Sequence, residues 1–139
     1  MCDDIIEITN NNKYLLEDFL KNELSGTFRY FNKRSIDVIQ NHVITSVVLV
    51  GTIPIGYAHI DYDSGKYWFG ICILENYQGK GYGKQIMEYI FNHDKVKKMS
   101  EIYLNVDKIN IVAINLYVKF NFIIIDEKET YFMMLKQIY

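Results

Sequence analysis

Between Val43 and Leu74 the chain is almost continuously apolar and β-branched, broken only at Gly51-Thr52 and Asp63-Ser64-Gly65. Turn formers at those two breaks predict three strands, over residues 43–50, 55–61 and 67–74, joined as an antiparallel meander. Pro54, which has no amide to give a neighbour, fits only at the start of the second strand. Strands with so little polar alternation are expected to be covered on both faces. The remaining residues must therefore supply two layers.

They carry the periodicity to do so. Ile5, Ile6 and Ile8 predict a first strand, and the Asn10-Asn11-Asn12 run offers caps for a helix over 13–23 with Leu15, Leu16, Phe19 and Leu20 on one stripe. Ser25-Gly26 ends that pattern, and Ile36 with Ile39 suggests a short second helix. Further on, Ile86, Met87 and Ile90 define a helix over 84–92, and residues 101–106 read as a strand. Asp107 is placed to cap a helix over 108–120, with Ile109, Ala113, Leu116 and Phe120 at helical spacing. Residues 122–125 and 131–135 close the chain as a strand pair. The order β-α-α-β-β-β-α-β-α-β-β specifies a mixed α/β fold, and with 139 residues and no internal repeat the chain reads as one domain, 1–139.

Charge and cysteine content narrow the function. Fifteen Lys plus Arg against 17 Asp plus Glu give a net charge of −2, which argues against a basic nucleic-acid-binding module. The Lys95, Lys97 and Lys98 cluster reads as an exposed loop face. Two cysteines, Cys2 and Cys72, support neither a disulfide framework nor a cysteine-rich zinc site. His42, His59 and His93 lack metal-ligand spacing, so no metal is expected. The acidic start Met1-Cys2-Asp3-Asp4 leaves no room for a signal-peptide core, and no apolar run approaches the roughly 20 residues of a membrane span. A cytoplasmic protein without membrane contact is the expectation.

At Gln78-Gly79-Lys80-Gly81-Tyr82-Gly83 the pattern changes abruptly from strand to helix. Three glycines there permit tight turns and close ligand approach, and the free amides of a following helix would face the same concavity. By itself the string fits a structural turn as well as an anion site. It lacks the spacing of the nucleotide-binding loop G-x-x-x-x-G-K-[ST], since Gly81-Tyr82-Gly83-Lys84 is followed by Gln85.

The wider context is more specific. Residues 73–83 resemble motif A of the GNAT superfamily of acyl-CoA-dependent N-acyltransferases, with Gln78, Gly81 and Gly83 at the signature positions. The segment from Asn110 through Ala113, Leu116, Tyr117, Phe120 and Asn121 to Phe122 is also similar to that superfamily. Glu75 stands where members often carry proline, and Asn121 where they often carry glycine. Asn is the best common substitute for glycine in a left-handed cap.

The resemblance implies a central, mostly antiparallel mixed sheet with helices on both faces. It also implies acetyl-CoA as donor and CoA as product. Ile71, Cys72 and Ile73 would lie on the splayed strand that meets the pantetheine arm, and Gln78, Gly79, Lys80, Gly81, Tyr82, Gly83 and Lys84 would hold the pyrophosphate. Asn110 would lie near the arm and Tyr117 near the sulfur, as general acid. Phe28, Arg29, Tyr30 and Phe31 occupy the segment that often closes over the acceptor. His59, Asp61 and Glu75 are the alternative base or proton-route candidates. Direct acetyl transfer to a primary amine follows, with a small metabolite or amino sugar preferred and a homodimer left open. Protein lysine or N-terminal acetylation, and a non-catalytic CoA-binding module, are the alternatives.

Overall fold

The computed structural model describes residues 4–138 apart from Glu23, residues 25–27, Arg29 and Lys33. Cys2, the Ser25-Gly26 break and the acceptor candidate Arg29 therefore lie outside the described residues. Strands β1 (Asp4–Glu7), β2 (His42–Val50), β3 (Ile53–Asp63), β4 (Lys66–Ile73), β5 (Glu101–Asp107), β6 (Ile123–Glu127) and β7 (Tyr131–Gln137) form one sheet. Its order is β1-β2-β3-β4-β5-β7-β6. All neighbours are antiparallel except β4 and β5. The expected meander is β2-β3-β4, with Gly51, Ser64 and Gly65 at positive φ in its two turns.

Helices cover both faces. On one, Leu16 and Phe19 of α1 (Tyr14–Leu20) pack with Val47, Tyr57 and Cys72. On the other, Ile86, Met87 and Ile90 of α2 (Tyr82–Asn92) pack with Val48, Ala58, Ile60 and Phe69. Alternation along each strand makes this division, since successive side chains leave opposite faces. The same cluster takes in Tyr117 of α4 (Ile111–Lys119) and, after it, Phe122. A short α3 (Asp94–Lys97) carries Lys95 and Lys97, both exposed.

Several boundaries differ from the expectations. α1 stops at Leu20 rather than 23, and the asparagines do not cap it. Asn12 instead accepts from Thr9 N at 2.7 Å and donates to Glu7 O at 3.0 Å, so it ties off β1. The expected helix near Ile36 is a 3₁₀ segment, Ile36–Asn41, capped by Ser35 onto the Asp37 amide. Before α4 the cap is Asn110, not Asp107, which ends β5. Asn121 closes that helix at φ 69, the left-handed cap its residue type suggested. No helix among the described residues is long and apolar enough to cross a membrane.

One feature of the sheet positions the site. Among the described residues β4 and β5 pair only at Trp68 with Tyr103, although β4 runs on to Ile73 and β5 to Asp107. The two strands separate beyond that bridge, exposing backbone groups of Gly70 to Ile73 that a parallel partner would have taken.

Candidate active site

The opening between β4 and β5 widens into a cavity of about 1020 Å³. Ile71, Cys72 and Ile73 form one wall, α4 another, and the glycine loop its rim. The loop's shape follows from two backbone angles. Gly79 and Gly81 have φ of 76° and 90°, a region that a Cβ makes costly. A Cβ built on either would meet nothing within 4 Å, so it would project into open space where a ligand could approach. Gln78 fixes the loop to the end of β4 by donating Nε2 to the Ile73 carbonyl at 3.0 Å.

Gly81 is the N-cap of α2, so the helix starts at Tyr82, two residues before the expected position. Gly83 thus lies inside the first turn. A Cβ there would come 3.1 Å from Leu116 Cδ2, so its glycine lets α2 approach α4 rather than shaping the loop. First-turn amides have no intrahelical acceptor, and no acidic residue occupies this turn. Helix dipole and free amides together favour a phosphate at the rim. Gln78, Gly79, Gly81, Gly83 and Lys84 border the cavity. Lys80 instead sets its ammonium 5.7 Å from the Tyr77 ring, and the Tyr82 ring packs edge-on against the same side chain.

The stripe Ile109, Ala113, Leu116 and Phe120, along α4 and its flanks, borders the cavity; Ala113, Leu116 and Phe120 also pack against the core, whereas Ile109, before the helix, is 82% exposed. Periodicity identified the right face but could not tell a cleft wall from a core. Asn110 lines the same cavity while its Oδ1 accepts from the Ala113 amide at 3.3 Å. Two turns on, Tyr117 reaches the cavity from among Phe69 and Phe122, with ring centroids at 6.3 and 5.9 Å. Burial, and then the neighbouring Cys72, push its hydroxyl well above the ordinary tyrosine value. It therefore stays a proton donor at neutral pH.

The acceptor candidates separate. Phe28 lines the cavity and packs edge-on against Tyr57 at 5.8 Å. Phe31 is turned onto Tyr57 at 5.6 Å, and the Tyr30 ring lies tilted against His59 at 4.3 Å; neither lines the large cavity. Tyr30 borders a second cavity of about 350 Å³ with Arg34, His42, Asp61, Tyr62 and Asp63. Glu75 sits exposed in a 3₁₀ turn, Glu75–Tyr77, between β4 and the loop.

His59 is only 2% exposed, so it does not face either cavity directly. It belongs to a polar network that the β2-β3 register assembles. Tyr57 Oη lies 2.8 Å from His59 Nδ1, and His59 Nε2 lies 3.4 Å from Asp61 Oδ1. Thr45 Oγ1 is 2.7 Å from His42 Nδ1, His42 Nε2 is 2.7 Å from Tyr30 Oη, and Tyr30 Oη is 3.4 Å from Asp61 Oδ2. The imidazoles stack at 4.4 Å and 14°.

Burial and the neighbouring histidine lower His42 to about 3, and burial lowers His59 against the pull of Asp61. Both rings are thus neutral at pH 7. For Asp61, burial acts to raise the carboxyl, but bonding and charge from His59, aided by His42 and Arg34, outweigh it and hold it below its ordinary value. A carboxylate only accepts, so His59 must donate from Nε2 and accept from Tyr57 at Nδ1. By the same logic Tyr30 donates to Asp61, His42 Nε2 donates to Tyr30, and Thr45 donates to His42 Nδ1. Two donor chains converge on one carboxylate.

Sequence reasoning found His59, Asp61 and Tyr30 but missed His42 and Tyr57. The alternation Tyr57-x-His59-x-Asp61 was readable as three side chains on one strand face. His42 was not, because only the pairing of His42 with Asp61 brings it there.

The model of the Acetyltransferase (GNAT) family matches residues 8–122. The spermine/spermidine N(1)-acetyltransferase of Bacillus subtilis (strain 168) is 39% identical over 64 residues, 45% of this chain and 42% of that protein. That match spans about two-fifths of the relative's length. Among solved structures, an acetyltransferase of the GNAT family from Streptococcus pneumoniae superposes with a TM-score of 0.78 at 19% identity, covering 99% of this chain and 100% of that one. A protein from Salmonella typhimurium, solved with its cofactor acetyl-CoA, superposes with a TM-score of 0.76 at 12% identity, covering 100% of this chain and 95% of that one.

Proposed function

The chain belongs to the acetyltransferase (GNAT) family, and from that premise we propose that it moves the acetyl group of acetyl-CoA to a primary amine of a small metabolite by direct attack. The observation that carries the proposal is the convergence of the α2 N-terminus, the unpaired edge of β4 and the Tyr117 hydroxyl on one cavity. In this reading the amides of 79–84 hold the pyrophosphate, and Ile71 to Ile73 offer main-chain groups to the pantetheine amides and the acyl oxygen. Bound acetyl-CoA supplies an activated acyl carbonyl with a thiolate leaving group. Tyr117 gives that sulfur a proton or a hydrogen bond as charge develops.

For the acceptor, the Bacillus subtilis relative supports an aliphatic polyamine, and an amino sugar stands second within the same class. The test is turnover of acetyl-CoA by the purified protein against spermidine, spermine and amino sugars, with the product identified by mass. An amine-dependent acetylated product supports the proposal. Saturable acetyl-CoA binding with no amine-dependent product would make the protein a binding module instead.

The loop has its own test. Gly81→Val forces a β-branched residue to φ 90°, at a strain of about 1–3 kcal/mol, and adds methyl groups where the phosphates would lie. Affinity for CoA by titration calorimetry is expected to fall at least about tenfold, with an unchanged circular dichroism spectrum. Unaltered affinity would remove the loop from the binding site.

A further inference from the structure

We infer that Gly56 of β3 is a positioning residue for the cofactor, acting through Ile73 on the first turn of α2. Gly56 is buried and does not border the large cavity. By leaving its Cβ space to Ile73, it sets where that turn lies over the sheet, and so how well the turn grips a pyrophosphate. This deepens the acetyl-transfer reading and rests on it.

Side-chain contacts define the stack. Gly56 pairs with Ile73 across β3 and β4, and a Cβ built on it would stand 2.6 Å from Ile73 Cδ1. Two carbons do not tolerate that separation. Val48 Cγ2 at 3.5 Å and the Cys72 carbonyl oxygen at 3.7 Å would be ordinary neighbours. Ile73 thus folds its side chain over β3, into the space the glycine leaves. On the helix side, a Cβ at Gly83 in the first turn of α2 would lie 4.0 Å from Ile73 Cγ1. The isoleucine therefore sits between strand and helix N-terminus with a glycine on each side. Neither glycine has the positive φ that would make it necessary for the backbone alone. Room for Ile73 supplies a reason at residue 56.

Ile73 is not free to yield through its main chain. Its carbonyl accepts from Gln78 Nε2 at 3.0 Å, and the next amide, Leu74 N, donates to the Ile55 carbonyl at 2.9 Å. A methyl group at residue 56 must then turn the Ile73 side chain, either towards Gly83 or into the cavity that Ile73 borders. The first movement lifts the first-turn amides, and the second narrows the space for the pantetheine arm. Hydrogen bonds from amides to phosphate oxygens weaken steeply once distance and angle leave their optimum, so either movement lowers donor affinity. Tyr117 stands outside the stack, its ring held against Phe69 and Phe122. The chemical step is therefore largely spared.

A double-mutant cycle tests this, because Ile73→Val removes only Cδ1, the atom that the new methyl group strikes. CoA affinity is measured by titration calorimetry for wild type, Gly56→Ala, Ile73→Val and the double variant. Gly56→Ala is expected to weaken CoA binding at least about tenfold in the wild-type background and less than about twofold in the Ile73→Val background. In turnover with whichever amine of the panel is acetylated, Gly56→Ala is expected to raise the KM for acetyl-CoA by a similar factor and to lower kcat less than about threefold. Lost packing alone would lower the binding stoichiometry and leave the affinity of the folded molecules unchanged. Should Gly56→Ala alone fail to fold, the double variant decides. Binding equal to that of Ile73→Val supports the stack, and an unfolded or about tenfold weaker double variant overturns it. Equal losses in both backgrounds also overturn it, and assign Gly56 instead to the register shift where Val48 pairs with Gly56 and Leu49 with Pro54. Undiminished affinity of Gly56→Ala overturns it as well. Each of these results leaves acetyl transfer intact. Absence of saturable CoA binding by the wild type overturns the functional reading, and the stack with it.

Discussion

Tyr117→Phe is expected to bind acetyl-CoA within about twofold of the wild type and to turn over about 100-fold more slowly. The argument is differential. A hydroxyl that meets the sulfur only as charge develops contributes to the transition state and little to the ground state, so kcat falls and donor affinity does not. Burial among Phe69 and Phe122 keeps the ring in place after the oxygen is removed, so the substitution reports on the hydroxyl and not on packing. Direct binding of acetyl-CoA, followed by single-turnover transfer, separates the two quantities. Full activity in the variant would make Tyr117 a core residue of α4 and leave departure of the thiolate unassisted.

How much of this was readable beforehand depends on whether a feature is local. Strand β3 with its turns, the apolar stripe of α2 and the glycine loop all rest on residues adjacent in sequence. Each was found within about two residues, as expected for strongly periodic segments. Asn121 at a left-handed angle was readable for the same reason. Features created by pairing were not. The parting of β4 from β5 leaves no mark in the residues themselves, because Gly70 to Ile73 are as apolar as a paired strand; only the family resemblance implied a splayed strand at Ile71 to Ile73. The stripe along α4 serves both as cleft wall and as core packing, which helical spacing alone does not distinguish. His42 became part of the network only through its register with Asp61, and Tyr30, read as an acceptor contact, belongs to that network too.

The same network predicts that the fold is sensitive to mild acid. His42 has a folded pKa of about 3 against an ordinary value of 6.5, and burial drives His59 in the same direction. Between those values the unfolded chain binds a proton that the folded chain refuses, so stability falls as pH drops below 6.5 and stops falling near the folded value. Two pH units below 6.5, His42 alone accounts for about 2–3 kcal/mol, a large share of a small domain's total. Asp61 does not offset this, since its carboxyl is held below its ordinary value and its own contribution is lost only at still lower pH. The groups facing His42 are Tyr30, Thr45, His59, Asp61 and Arg34, and none brings a second carboxylate that could accept the charge. Urea unfolding of the wild type at about pH 6.5 and about pH 4.5 is expected to show at least that difference, and His42→Asn, less stable at the higher pH, is expected to lose the His42 share of it and so show a shallower dependence. An equally steep pH dependence in the variant would place the sensitivity elsewhere and show that the half-buried His42 imidazole accepts a proton without disturbing the two donor chains.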